Sequence, residues 1–142
     1  MSSLSNSLGY HLKYTQHHLR GCMDEQLRAI ELTTPQYAVL SAMAATPGLS
    51  NAELARASFV TPQTMHGIVS NLAKKGWLKR EPDPAHGRIL KTTLTAKGEK
   101  ILTQAQTIIR RLETRMTKNI KQKDIAHFKA LLDQFTHNLQ QL

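Results

Sequence analysis

SNAELARASFVTPQTMHGIVSNLAKKG, residues 50–76, is the stretch whose reading decides the fold. Ser50 followed by Glu53 has the capping-box form, in which a hydroxyl and a carboxylate reciprocally satisfy the free amides of a helix start. A short helix holding Leu54 and Ala55 is therefore expected. Thr61-Pro62 repeats the signal in another form: a hydroxyl cap, then proline at the first helical position, where its missing N–H costs nothing. Gly76 closes that second helix. Between the two lies a short turn around Ser58-Phe59-Val60, which is helix-turn-helix spacing with the second helix as the reader.

The second helix divides into two faces. Met65, Ile68, Val69 and Leu72 follow the i, i+3, i+4, i+7 rule and face the core. The opposite face carries Gln63, His66, Gly67, Ser70, Asn71 and Lys74, with Thr64 at its edge, and no carboxylate. Gln and Asn can bond adenine in a major groove, and Thr and Ser adapt to several bases. Gly67 permits close approach, and the amides near Thr61 and Thr64 form a phosphate-binding helix start.

Outward from this stretch, Thr33-Thr34-Pro35 begins a helix carrying Tyr37, Val39, Leu40 and Met43, which Pro47-Gly48 ends. A first helix is expected over about Ser7 to Ile30. On the other side, Trp77–Glu81 and Arg88–Leu94 read as two short strands around the turn-rich loop Pro82-Asp83-Pro84-Ala85-His86-Gly87. Trp77 is read as a packing residue at the strand–helix junction. Thr95 caps a long helix with Ile101, Leu102, Ile108, Ile109, Leu112, Met116 and Ile120 on its apolar side. A last helix from about Lys123 aligns Ile125, Phe128, Leu131, Leu132, Phe135 and Leu139. The fold class is mostly α with a small β wing: a winged helix-turn-helix over residues 32–98, inside a single domain of residues 1–142. Residues 1–31 and 99–142 supply the flanking helices.

Charge follows the same division. The chain carries a formal charge of +9, yet residues 1–57 are balanced. Residues 58–98 hold Lys74, Lys75, Lys79, Arg80, Arg88, Lys91 and Lys97 against only Glu81 and Asp83. A positive field concentrated there suits a polyanion. The expected phosphate contacts are Lys74, Lys75, Lys79, Arg80, Arg88 and Lys91; base choice falls to Gln63, Thr64, His66 and Asn71. The loop around His86 forms the wing; protonated His86 is a further candidate phosphate contact, with an uninvolved loop residue as its other reading.

These motifs resemble the MarR (multiple antibiotic resistance regulator) family of winged helix-turn-helix transcription regulators. The resemblance rests on residues 32–37, Glu53-Leu54-Ala55, residues 61–64 leading to Leu72, residues 75–80, the wing from Asp83 to Arg88, and residues 94–98. It implies a homodimer built from the terminal helices, 1–31 and 99–142, that places two reader helices on a pseudo-palindromic operator in double-stranded DNA. It makes Arg88 the wing arginine of the minor groove and Asp83 the acidic residue at the wing's start. The sequence departs from the family where Ala85 and His86 replace the usual Arg and Asp, leaving the usual wing-bracing ion pair in doubt.

The resemblance further implies a repressor relieved by a small aromatic or phenolic effector. His11, Tyr14, His18, Tyr37 and Met43 are its candidate lining, chosen by position on the first two helices. The lone Cys22, four residues from His18, offers a redox alternative, although peroxide-sensing relatives carry their cysteine nearer the start of the first helix. A winged-helix module docking an acidic protein is the other alternative reading. No Cys-x-x-Cys or His-Glu-x-x-His pattern suggests a metal, and neither a phosphate-binding glycine loop nor a nucleophile elbow suggests an enzyme or a cofactor. The amino terminus lacks a signal-peptide pattern, and Ser41 interrupts the longest apolar stretch, Tyr37–Ala45, far short of the roughly 18 residues of a membrane span. A soluble, cytoplasmic protein is expected.

Overall fold

A computed structural model of the chain describes residues 3–85, 87 and 90–142. A short 3-10 turn (Ser3–Asn6) leads into α1 (Leu8–Leu27), and a second (Arg28–Ile30) follows it. Then come α2 (Thr34–Ala45), α3 (Asn51–Ala57), α4 (Pro62–Lys74), β1 (Leu78–Pro82), β2 (Leu90–Leu94), α5 (Ala96–Met116) and α6 (Gln122–Gln140). This is the expected order of elements, mostly helical with a two-stranded wing.

The local signals act as their chemistry requires. The Ser50 hydroxyl accepts from the Glu53 amide at 3.2 Å while the Glu53 carboxylate accepts from the Ser50 amide at 2.8 Å. Thr33 caps α2 in the same way, with Gln36 as the reciprocal partner, a second capping box beyond the expected hydroxyl cap. Thr61 accepts from the Thr64 amide at 3.2 Å, and Thr95 from the Gly98 amide at 3.1 Å. Each such cap contributes about 1 kcal/mol.

The boundaries differ where tertiary geometry intervenes. The first helix tightens into 3-10 form at Arg28 and stops at Glu31, whose φ is +56. Pro35 is the second residue of its helix, behind Thr34; its missing N–H is still one of the four free amides of a helix start. Trp77 belongs to the end of α4 rather than to β1. Its amide donates to the Leu72 carbonyl at 3.1 Å and that of Gly76 to Ala73 at 3.0 Å, with Gly76 at φ +75. That pair of bonds closes a helix through a left-handed residue. β2 is described from Leu90, so Arg88 and Ile89 of the expected strand lie outside the described residues.

Two compact units make up the chain, Met1–Ile109 and Arg110–Leu142. The core of the first collects Leu27, Leu32, Val39, Leu40, Met43, Leu54, Met65, Val69, Leu72, Leu78 and Leu102, all buried. In it α3 packs on α2 and α4, α4 on β1, and α2 on β2. The strands run antiparallel, pairing Leu78 with Leu94 and Arg80 with Thr92. The wing is knotted to α5 at Gly98, where an added Cβ would stand 1.9 Å from the Trp77 carbonyl oxygen. Around that contact the Thr95 amide donates to the Trp77 carbonyl at 3.1 Å, and its hydroxyl donates to the Gly76 carbonyl at 2.6 Å. The second unit holds the end of α5 and α6; Phe128, Leu131 and Leu139 of α6 are exposed and none of its residues is buried. Among the described residues no helix is long and apolar enough to cross a membrane.

Candidate nucleic-acid interface

The reader face stands on a firmly held helix. Met65, Val69 and Leu72 are buried and Ile68 half-buried, which fixes α4 about its axis; Gln63, Thr64, His66, Gly67, Ser70, Asn71 and Lys74 are exposed. Their placement agrees with the periodicity argument. At the helix start the Thr61 hydroxyl accepts from the Thr64 amide and donates to the Thr64 hydroxyl at 2.9 Å. Thr64 therefore keeps its own hydroxyl proton to offer. An added Cβ at Gly67 would meet nothing within 4 Å, so the fold itself does not call for glycine there.

His66 is oriented by a neighbour that the sequence did not reveal. The Asn51 side chain lies with Nδ2 3.1 Å from His66 Nδ1. An amide nitrogen only donates, so Nδ1 accepts and the neutral ring carries its proton on Nε2. This bond ties the first turn of α3 to the reading face of α4.

The basic residues separate into two groups. Lys74 and Arg80 are exposed, with no partner among the described residues. Lys75, by contrast, donates from Nζ to the Glu31 carbonyl at 2.7 Å and sits 4.5 Å from the centroid of the Trp77 ring. It joins the end of the first helix to the end of α4. Lys79 pairs with Glu81 at 3.0 Å. Lys91 lies half-buried, its stem placed where a Cβ added at Gly48 would meet it at 3.8 Å and its ammonium 3.6 Å from Asp83. Asp83, only 13% exposed in its side chain, also accepts from the Ala85 amide at 2.9 Å. The wing thus has a bracing ion pair despite Ala85 and His86, but its cation comes from β2 rather than the loop. His86 and Arg88 lie outside the described residues.

The five candidate effector residues are not brought together. His11, Tyr14 and His18 stand exposed on α1, with Tyr10 stacked on Tyr14 at 5.8 Å and Tyr14 against His18 at 4.4 Å. Tyr37 packs half-buried against the core, and Met43 is buried within it. Cys22 is exposed on α1. Among the described residues there is no group of three or more His, Cys, Asp or Glu side chains placed to hold a metal.

A different hollow, of about 770 Å³, opens between α1, α2 and α4. Arg20, Asp24 and Arg28 line one side, Thr33, Pro35 and Gln36 another, and Thr64, Gly67, Ile68 and Asn71 of the reader helix the third. Asp24 accepts from the Thr34 hydroxyl at 2.5 Å and pairs with Arg20 at 3.4 Å. The Thr34 hydroxyl, seconded by Arg20, holds the Asp24 carboxyl below the usual carboxylate range. The Arg28 guanidinium has no partner among the described residues. The i, i+4 spacing of Arg20 and Asp24 was visible in the sequence; the approach of α4 to them was not.

A family model described as MarR family matches residues 30–89. The HTH-type transcriptional repressor Rv2887 of Mycobacterium tuberculosis is 33% identical over 126 residues, 89% of this chain and 91% of the relative. The chain belongs to the MarR family. A solved structure of Rv2887 in complex with salicylic acid matches with a TM-score of 0.76 and 32% identity, over 91% of this chain and 96% of that one. The transcriptional repressor CouR, bound to a 23-mer DNA duplex, matches with a TM-score of 0.87 and 26% identity, over 96% of each chain. The winged helix and the family expected from the sequence are thereby established.

Proposed function

We propose that this MarR-family protein is a homodimeric repressor that binds a pseudo-palindromic operator through α4 and the wing, and that a small aromatic acid relieves it. The observation that carries the reading is the exposed, carboxylate-free face of α4 on a helix whose other side is buried. A rigid helix offering Gln, Thr, His, Ser, Asn and Lys suits base edges and phosphates. CouR, of the same fold, binds a DNA duplex.

The dimer is supported by apolar surface left uncovered in the single chain. Leu8, Tyr10 and Tyr14 of α1 are exposed, as are Met116, Ile120, Phe128 and Leu139 in the second unit. Terminal helices 1–31 and 99–142 that cover such residues in a partner would bring two reader helices to one duplex, about 34 Å apart. Sedimentation of the purified protein tests this, a dimer being expected.

The effector reading is supported by the hollow between α1, α2 and α4, which sets Arg20 and Arg28 opposite Thr64, Gly67 and Asn71. A carboxylate held by the arginines would place an aromatic ring against the reader helix. The salicylate complex of Rv2887 lends the ligand class. The decisive experiment measures anisotropy of a labelled duplex, selected from a randomised library by the purified protein. Affinity is expected to fall steeply between low and moderate salt, because each phosphate contact releases counterion. Salicylate is expected to release the duplex, and Arg28→Ala to blunt that release. Flat salt dependence would remove the electrostatic account of binding.

A further inference from the structure

Phe59 occupies a place that its chemistry does not suit. α3 ends with the same pair of bonds as α4: the Phe59 amide donates to the Arg56 carbonyl at 3.3 Å, and the Val60 amide to the Ala55 carbonyl at 3.0 Å. That geometry puts Phe59 in the left-handed region, at φ +57, where α4 uses Gly76 at φ +75. A Cβ crowds the following carbonyl in this region, so glycine is the favoured residue. Nor does the fold recover anything from the ring, which is 96% exposed. An apolar ring in water on a strained residue breaks two local rules at once, and such breaks concentrate at functional sites.

Its position indicates the partner. Phe59 lies two residues before Thr61, the cap of the reader helix, in the turn that leads into the helix start at Thr61 and Thr64. Arg56, exposed at the end of α3, precedes it by three residues. We propose that Phe59 is a DNA-contact residue, packing its ring on an apolar edge of the duplex beside the start of α4. That edge is a thymine methyl or a deoxyribose, the two apolar surfaces a groove wall offers. The inference rests on the operator-binding reading above.

The test uses full-length protein and a labelled duplex selected from a randomised library by the wild type, with a scrambled duplex as control. Wild-type protein that fails to prefer the selected duplex would remove the operator reading, and this inference with it. Given that preference, Phe59→Gly is expected to melt at or above the wild-type temperature and to bind the selected duplex about tenfold more weakly. Its salt slope should be unchanged, since no phosphate contact is lost. Phe59→Leu, which keeps an apolar group, should stay within about threefold of wild type. Replacing thymine by uracil in the duplex should weaken the wild type but not Phe59→Gly where a methyl is the contact; equal responses assign the contact to deoxyribose. Equal affinity of Phe59→Gly and wild type would overturn the inference while leaving the reader helix standing. A lowered melting temperature of Phe59→Gly would overturn the strain argument beneath it.

Discussion

Gly98→Ala is the substitution whose consequence the structure specifies most closely. The new methyl carbon would lie 1.9 Å from the Trp77 carbonyl oxygen and 2.9 Å from its carbon, both backbone atoms that cannot turn away. Carbon–oxygen contacts ordinarily sit near 3.3 Å, so α5 and the end of α4 would have to part by about 1.4 Å. That displacement reaches three hydrogen bonds at the same knot: Thr95 amide to Trp77, Thr95 hydroxyl to Gly76, and Gly98 amide to Thr95. Overpacking alone costs about 1–3 kcal/mol, and each weakened hydrogen bond about 1 kcal/mol. Against this stands a gain of about 1 kcal/mol from replacing glycine by alanine within a helix. The net expectation is a loss of about 3–5 kcal/mol, a large part of the stability of an ordinary domain. Urea unfolding followed by circular dichroism, at matched protein concentration because assembly adds to stability, measures it. Gly67→Ala is the internal control. Its methyl group meets nothing within 4 Å, so the same chemical change there should stabilise by about 0.5–1 kcal/mol. A loss below about 0.5 kcal/mol for Gly98→Ala would refute the claim that this close approach fixes the wing on α5.

Three further outcomes separate the roles assigned above. Lys74→Ala should reduce the magnitude of the slope of log affinity against log salt by about one, whereas Lys75→Met should leave it unchanged. Lys75 is bound to Glu31 and Trp77, and a drop of one with Lys75→Met would place it on a phosphate instead. Thr34→Val removes the largest cause of the lowered Asp24 pKa, so the carboxyl titration followed by NMR should move up toward 3.8. The sign follows from linkage: a depressed folded-state pKa contributes stability above the unfolded value and loses it as pH falls through the folded one. Thr34→Val should therefore weaken acid sensitivity near and below pH 4, and an unmoved titration would show that the hydroxyl does not act on Asp24. Arg88→Ala should weaken operator binding at least tenfold and leave the dimer intact; unchanged binding in an electrophoretic shift would end its assignment to the minor groove.

The fold was legible because its signals are local. Ser50 with Glu53, Thr61 with Pro62 and Thr95 ahead of Gly98 each act within four residues, and the structure forms all three caps. The same holds for the α4 face, where a period of 3.6 residues divides Met65, Val69 and Leu72 from Gln63, His66 and Asn71. What escaped the sequence depends on partners far along the chain. Lys75 finds Glu31 across 44 positions, His66 finds Asn51 across 15, and Thr34 finds Asp24 across 10. Charge counting treated Lys75 and Lys91 as equals of Lys74, although two of the three are engaged within the fold. A net positive segment shows that a polyanion is welcome; it does not show which cations are free to meet one.

The same distinction between local and long-range causes bears on how the reader helix is held. Two residues near it are ones that helix stability alone would not select: Gly67 in mid-helix with open space around it, and Phe59 at a left-handed position in water. The Ser58 hydroxyl between α3 and α4 is buried without a hydrogen-bond partner among the described residues. The surrounding elements compensate with contacts the helix does not make itself: the buried row of Met65, Val69 and Leu72, the Asn51–His66 bond, and the Lys75 bridge to Glu31. Local weakness on the outer side and strong support on the inner side are what a surface shaped for an external partner requires. That asymmetry predicts opposite responses to mutation. Phe59→Gly and Gly67→Ala, both on the outer side, should stabilise the fold while weakening DNA binding. Truncations on the inner side should lose both together, and a Gly67→Ala protein that gained stability and kept full affinity would break that correspondence.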